Sequence, residues 1–371
     1  MAEFVLAAAE PIDGYSAGSV RLQHRVGLMA RRGGGLLVAP WGREGPVLLP
    51  GVRHIDPHLA PGMAHDARVH VLSDLLAAQL DAGRYRVAHV MGVQLGIPAV
   101  MRRRRGLKVL IEPGATPAQR FRDLLDDVRP PQLEELVAIE TKTLARADAI
   151  IARSPVDAAT LGKRGVGPER LWTVPDGLPV VDGITAPPDL PHIAYVFGGT
   201  SRTGVDTVLE AMARLPGAWR LAILRADEGP VGLGESYAKQ LKIGHRVSWG
   251  RLDDTGPGRI AGAQIVVCAP QVGRVVEAGG WVPDAALWAL AAGRALVAPE
   301  LPAVRAVAGG AARYYDPDDP GALALAINEL LVEPEVRDRL VAAAMARREQ
   351  FTWEQADAVL SDLWVQIQSD F

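Results

Sequence analysis

Residues 193–224 read IAYVFGGTSRTGVDTVLEAMARLPGAWRLAIL. An apolar run (193–197) passes through a loop of small residues into a helix predicted over 204–215. A second apolar run (221–224) follows. Strand, loop, helix, strand is the repeating unit of a parallel sheet covered on both faces, because a parallel neighbour is reached only through a crossover.

The same alternation extends in both directions. Toward the N-terminus the predicted strands are 4–9, 35–40, 87–91, 107–111, 149–152 and 171–174, with helices at 19–31, 66–81, 132–146 and 155–164. Ser19 is placed as the cap of the first helix, and Val20, Leu22, Val26 and Met29 as its apolar face. Toward the C-terminus the strands are 246–249, 264–269, 295–298 and 312–315, with helices at 235–241, 284–292 and 320–332. Asp318 or Asp319 ahead of Pro320 marks a helix start. Two tail helices follow at 335–349 and 353–368, the second with Thr352 and Gln355 as a capping box. Between the two series, PDGLPVVDGITAPPDLP (175–191) is rich in Pro, Gly and Asp and reads as a linker. Two doubly wound domains in series leave a cleft between them, with ligands expected at the carboxyl ends of the strands.

Composition agrees with a globular α/β chain. Of 371 residues, 49% are hydrophobic and 22% charged, and the net charge of -3 gives no reason to expect nucleic acid as a partner. The lone Cys268 cannot form an internal disulfide; it reads as a small buried hydrophobe in a cytoplasmic protein. MAEFVLAAAEP at the start reads as a buried strand rather than a signal peptide. No uninterrupted apolar stretch is long enough to span a bilayer.

Several segments, taken in order, resemble one known family. They are YRVAHVMG (85–92), ARADAIIARS (145–154), LWTVPDGL (171–178), FGGTSRTGVDTVLEAM (197–212), ALAAGRALVAP (289–299), YYDPDDPGALALAINELL (314–331) and FTWEQ (351–355). In sequence and spacing they are similar to the retaining GT-B glycosyltransferases of the glycosyltransferase 4 family. The resemblance implies an α/β GT-B fold, two doubly wound Rossmann-like domains facing each other across a cleft. Residues 1–180 would form the acceptor-side domain and 181–350 the nucleotide-sugar-binding domain. The helix of 351–371 would cross back to the first. The implied reaction moves a sugar from a UDP- or GDP-sugar to an acceptor hydroxyl with retention, without metal and with no cofactor beyond the donor itself. The implied partners are the nucleotide sugar and a sugar, lipid-linked or polymer acceptor.

The chemistry required is stabilisation of a leaving diphosphate, whose charge grows in the transition state. The family carries an Arg and a Lys in the loop after the first strand of its second domain. Here those positions are Gly199 and Thr203, beside Gly198, and the one cation in the loop is Arg202. The resemblance makes Arg202 the diphosphate contact. In the N-terminal loop, Gly14, Ser16, Ala17 and Gly18 open a helix and let backbone approach a phosphate. Arg21 and Arg25 on that helix face either the cleft or solvent. His89 reads as a core histidine. Where the family has a donor-sugar histidine, this chain offers EPGATPA (112–118), with Glu112 the nearest polar group.

The family's two donor-site carboxylates flank a Gly-rich turn. Counting back from Gly293 without gaps places Gly280 and Trp288 there; a small shift makes Glu277 the first acid and Asp284 a shorter second. An indole cannot accept a hydrogen bond from ribose. Gly279, Gly280 and the start of helix 284–292 remain as backbone donors. These departures keep a second function open: a catalytically impaired glycosyltransferase-like subunit that binds or scaffolds another protein. A sugar-nucleotide epimerase shares the architecture, but its acid and histidine pattern is not visible. The basic run MRRRRGLK (101–108) leaves peripheral contact with the inner face of a membrane open.

Overall fold

Two parallel sheets organise the chain. The structure is a computed structural model that describes all residues except 1–3, 13, 15, 42–48, 61–62, 104–105, 115, 117, 119–129, 182–189, 198–203, 227–231, 233, 253–254, 271–283 and 370–371. The first sheet contains β1 (Phe4–Ala8), β2 (Gly35–Val38), β3 (Val52–Ile55), β4 (Val87–Met91), β5 (Lys108–Glu112), β6 (Ala149–Ala152) and β7 (Leu171–Thr173), in the order β3-β2-β1-β4-β5-β6-β7. Its helices are α1 (Ala17–Arg31), α2 (His65–Ala82), α3 (Val93–Met101), α4 (Pro130–Arg146) and α5 (Pro155–Lys163).

The second sheet contains β8 (His192–Phe197), β9 (Arg220–Arg225), β10 (Val247–Arg251), β11 (Ile265–Val267), β12 (Ala295–Pro299) and β13 (Ala312–Tyr315), in the order β10-β9-β8-β11-β12-β13. Its helices are α6 (Val205–Arg214), α7 (Glu235–Gln240), α8 (Gly256–Ala261), α9 (Asp284–Ala292), α10 (Pro302–Ala308) and α11 (Pro320–Val332). The tail forms α12 (Pro334–Arg348) and α13 (Trp353–Ser369).

Each sheet is buried on both faces, which the two-residue period of a strand makes visible. In β1, Val5 and Ala7 join the core under α2 and α3, while Phe4, Leu6 and Ala8 join the one under α1 and α13. Trp353, Ala356, Leu360, Leu363, Trp364 and Ile367 of α13 all pack into that second core, so the last helix lies on the first sheet. Trp353 fixes its start. The indole stacks on His24 of α1 at 3.8 Å and donates from Nε1 to the Leu178 carbonyl at 2.9 Å.

Two helix-start predictions are refined by capping chemistry. α1 begins ahead of its predicted start, because Ser16 rather than Ser19 is the N-cap: Ser16 Oγ accepts from the Ser19 N–H at 3.1 Å. Asp319, not Asp318, caps α11, accepting from Gly321 N–H (2.7 Å) and Ala322 N–H (3.0 Å), with Pro320 at the first helical position. Thr352 Oγ1 accepts from Gln355 N–H at 3.3 Å, the first half of the expected capping box. Among the described residues no helix is long and apolar enough to cross a membrane.

Candidate functional site

In both sheets the strand order reverses between two neighbours, β1/β4 in the first and β8/β11 in the second. Ligands of doubly wound sheets bind outside the carboxyl ends at such a point. The loop after β1 leads into α1. Gly14 accepts its place there because a Cβ would collide with Ser19 Oγ, so the turn packs against the first turn of α1. Ser16 caps that turn, Ala17 is its first residue, and Gly18 is its second. No acidic residue stands within the first turn of α1, but the Glu10 carboxylate packs beside Gly18 at that positive end of the helix. Replacing Ser16 with Ala removes the cap and is expected to cost about 1 kcal/mol in denaturant unfolding.

The opposite wall comes from the second sheet. A narrow cleft is lined by Val20, Asp176, Gly177, Pro179, Asp284, Leu287, Trp288 and Trp353. Val20 belongs to the first turn of α1, and Asp284 is the first residue of α9. The first turns of these two helices therefore share one cleft, closed at its back by the connecting segment and by Trp353 of the tail. Asp284 and Trp288 are one helical turn apart and so lie on the same face of α9, which accounts for both lining the cleft. Trp288 is 3% exposed and packs in the core of the second sheet, so it is a wall and not a reaching side chain.

Cys268 lies behind this wall. Burial, with Asp284 as a second contribution, pushes its thiol up to about 12. It is a packing residue and not a nucleophile, as expected from its apolar surroundings.

Beneath the cleft runs a buried charged network. Arg21 Nε and Nη2 donate to Asp176 Oδ1 (2.5 Å) and Oδ2 (2.7 Å), a bidentate pair joining α1 to the connecting segment. Arg25 Nε donates to Glu112 Oε1 at 2.9 Å, and His89 Nε2 stands 2.9 Å from the same oxygen. Neither arginine faces solvent, against the commoner expectation for a helix surface: both are buried, Arg25 completely. Glu112 is likewise not turned toward a sugar. Burial alone would raise its carboxyl pKa, but Arg25, then His89, then Arg21 outweigh that and hold it well below the usual range. His89 is a core residue, as read from the sequence, with the Trp364 ring edge-on at 5.8 Å.

Of the predicted site residues, Asp284 is the one that lines the cleft, opposite Val20; Gly14, Ser16, Ala17 and Gly18 stand at the start of α1, ahead of Val20. Gly198, Gly199, Arg202, Thr203, Glu277, Gly279 and Gly280 lie outside the described residues. The loops that hold them follow β8 and β11, the two strands at the reversal of the second sheet. Sequence reasoning missed Asp176 and Trp353 as cleft residues. Asp176 sat in view inside LWTVPDGL, where an acid between Pro and Gly is a signal of its own. In the basic run, Arg102 Nε pairs with Asp81 at 3.0 Å and Arg103 Nη2 with Asp148 at 2.7 Å, which leaves less free charge for an anionic surface.

No family model matches the chain. A stretch of 163 residues, 42% of this chain, is 32% identical to the phosphatidyl-myo-inositol mannosyltransferase of Mycolicibacterium smegmatis. The match spans 40% of that protein's length. Among solved structures, sucrose-phosphate synthase from Thermosynechococcus elongatus superposes with a TM-score of 0.77 at 18% identity, covering 99% of this chain and 100% of that one. WaaG, a glycosyltransferase involved in lipopolysaccharide biosynthesis, gives 0.72 at 14% identity over 97% and 99% of the two chains. HepE from Anabaena in complex with UDP-glucose gives 0.70 at 13% identity over 98% and 99%. With its sheets of seven and six parallel strands, the chain has the GT-B fold of glycosyltransferase structures.

Proposed function

We propose that the chain is a retaining glycosyltransferase of the glycosyltransferase 4 kind, moving a sugar from a UDP- or GDP-sugar to an acceptor hydroxyl. One observation carries the proposal: the first turns of α1 and α9 line a single cleft between two parallel sheets. Helix N-termini offer unpaired N–H groups and a positive dipole end, the two things a diphosphate needs. The partial identity to a mannosyltransferase and the UDP-glucose bound by a protein of the same fold support the choice of donor class.

In this mechanism the leaving diphosphate is held by backbone N–H groups of Ser16, Ala17 and Gly18 and of Gly279 and Gly280, with Gly14 shaping the turn and Arg202 supplying the cation. Gly198, Gly199 and Thr203 shape the loop that carries Arg202. Glu277 stands by the donor sugar, and Asp284 takes the ribose hydroxyl that Trp288 cannot. A phosphate oxygen of the leaving group receives the acceptor proton, so no separate base is needed.

Calorimetry with UDP, GDP and ADP tests the proposal. Saturable binding of UDP or GDP is expected, weakened at least about tenfold by Arg202→Ala, as for loss of a charge-assisted hydrogen bond. The second reading, a binding or scaffolding subunit, draws on Trp288, which fills the acidic partner's position with apolar bulk. Absence of binding by all three nucleotides, together with a stable protein partner in a pull-down, would favour that reading.

A further inference from the structure

A second group of side chains gathers at the carboxyl edge of the first sheet, away from the cleft residues. His54 near the end of β3 and the chain beyond β2 and β3 bring Trp41, His54, Asp56 and His58 together. Asp56 is the staple. Its Oδ1 accepts the Trp41 backbone N–H at 3.2 Å, and its Oδ2 stands 3.0 Å from His58 Nδ1. His54 Nε2 is 2.9 Å from the Ala39 carbonyl oxygen, which ties β3 to the chain leaving β2. The Trp41 ring lies 6.2 Å from the His54 ring and 6.0 Å, edge-on, from the His58 ring.

Two features mark this group as more than packing. Trp41 is 39% exposed and the His58 side chain 81%, so an indole and an imidazole are held at the surface in fixed positions. His58 also has φ +49, one of three described non-glycine residues in the left-handed region. Such a conformation persists where neighbours over-determine it, and it concentrates at ligand clamps.

All strands of the sheet are parallel, so these residues share an edge with the loop after β1. Neighbouring strands lie about 4.8 Å apart, which puts the ends of β2 and β3 roughly 5–10 Å along that edge from β1. That is the span of one or two sugar rings from the donor loop. We propose that Trp41, Asp56 and His58 form a platform for the ring of a polyhydroxylated acceptor, a hexopyranose or a cyclitol. The indole face covers the apolar C–H face of the ring. His58 Nε2 meets its hydroxyls, while Asp56, engaged by the Trp41 N–H and by His58, holds the two rings in place. The word acceptor rests on the glycosyltransferase reading; the ring site itself does not.

The test uses the full chain labelled with 15N-tryptophan, whose 8 indole N–H signals are assigned at this position with Trp41→Phe. The probes are methyl α-mannopyranoside, methyl α-glucopyranoside and myo-inositol, so that a glycan source and a lipid-headgroup source separate. A saturable shift of the Trp41 signal by at least one probe is expected, with about tenfold weaker calorimetric binding in Trp41→Ala and unchanged UDP binding. A Trp41 signal that none of the three moves, or that moves without saturating, overturns the platform. If a probe saturates Trp41 while neither UDP nor GDP binds, the platform stands and the glycosyltransferase reading falls. Nucleotide binding with a silent Trp41 gives the reverse.

Discussion

Glu112→Ala is expected to destabilise the protein by about 3–5 kcal/mol, because it leaves a buried guanidinium without its counter-charge. Arg25 is 0% exposed, and Glu112 is its ion-pair partner; among the described residues no acceptor meets its Nη1 or Nη2. His89 loses its contact at the same time, and Arg21, 3.7 Å from Glu112 Oε2, loses part of its neutralisation. Set against a typical total of about 5–15 kcal/mol, the change is large. Urea unfolding followed by circular dichroism measures it. The double variant Glu112→Leu with Arg25→Met should recover most of the loss, since replacing a whole buried pair by apolar groups is often neutral. Acid adds a second signature. The Glu112 carboxyl is depressed in the folded state, so its contribution is complete above the unfolded carboxylate value near ~4.3 and is lost as pH falls toward the folded value. Wild type and Glu112→Gln should therefore differ most near neutrality and converge in acid. Parallel stability curves across that range would show that the network carries no linked charge.

What could be read in advance follows from how local each signal is. β4, β6 and β13 were legible to the residue, because short apolar runs between turn residues have no competing period. α9 and β12 were legible because Gly293, at φ +59, punctuates them where only glycine is comfortable. β3 was not, since Val-Arg-His-Ile at a half-exposed sheet edge carries charge inside the strand. α3 failed for the opposite reason. VQLGIPAVM is apolar on nearly every side and buried, so it has no helical stripe, and Pro98 reads as a breaker. At the site, the glycine loop before α1 could be found from its place between strand and helix. The Arg21–Asp176 pair could not, because its partners are 155 positions apart and nothing local connects them. Trp353 enters the cleft for the same kind of reason: only the return of α13 to the first sheet brings it there.

Gly204→Ala is the sharpest test of the second wall. Gly204 precedes α6 with φ −69, so an alanine meets no backbone strain there. Its Cβ would instead fall on the carbonyl oxygen of Ala269, at the end of the segment leaving β11. That segment cannot give way easily. Tyr195 Oη donates to the Ala269 carbonyl at 3.3 Å, Tyr315 Oη to the Cys268 carbonyl at 3.2 Å, and Cys268 N–H to Val297 at 2.9 Å. Gly204 must therefore move, and with it the start of α6 and the attached loop that carries Arg202. An overpacked contact of this kind costs about 1–3 kcal/mol. Displacement of the loop should also lower UDP or GDP affinity about tenfold or more, since a charge-assisted contact depends on its position. Gly162→Ala is the matched control. It lies within α5 with open space where its Cβ would be, so better helix propensity should stabilise by about 0.5–1 kcal/mol. The pair separates steric closeness from the generic effect of replacing glycine. If both variants unfold at or above the wild-type midpoint and Gly204→Ala binds nucleotide normally, the close approach of α6 to the β11 segment does not govern the donor site. If Gly204→Ala alone is destabilised and loses nucleotide, the two loops at the strand-order reversal act as one rigid wall.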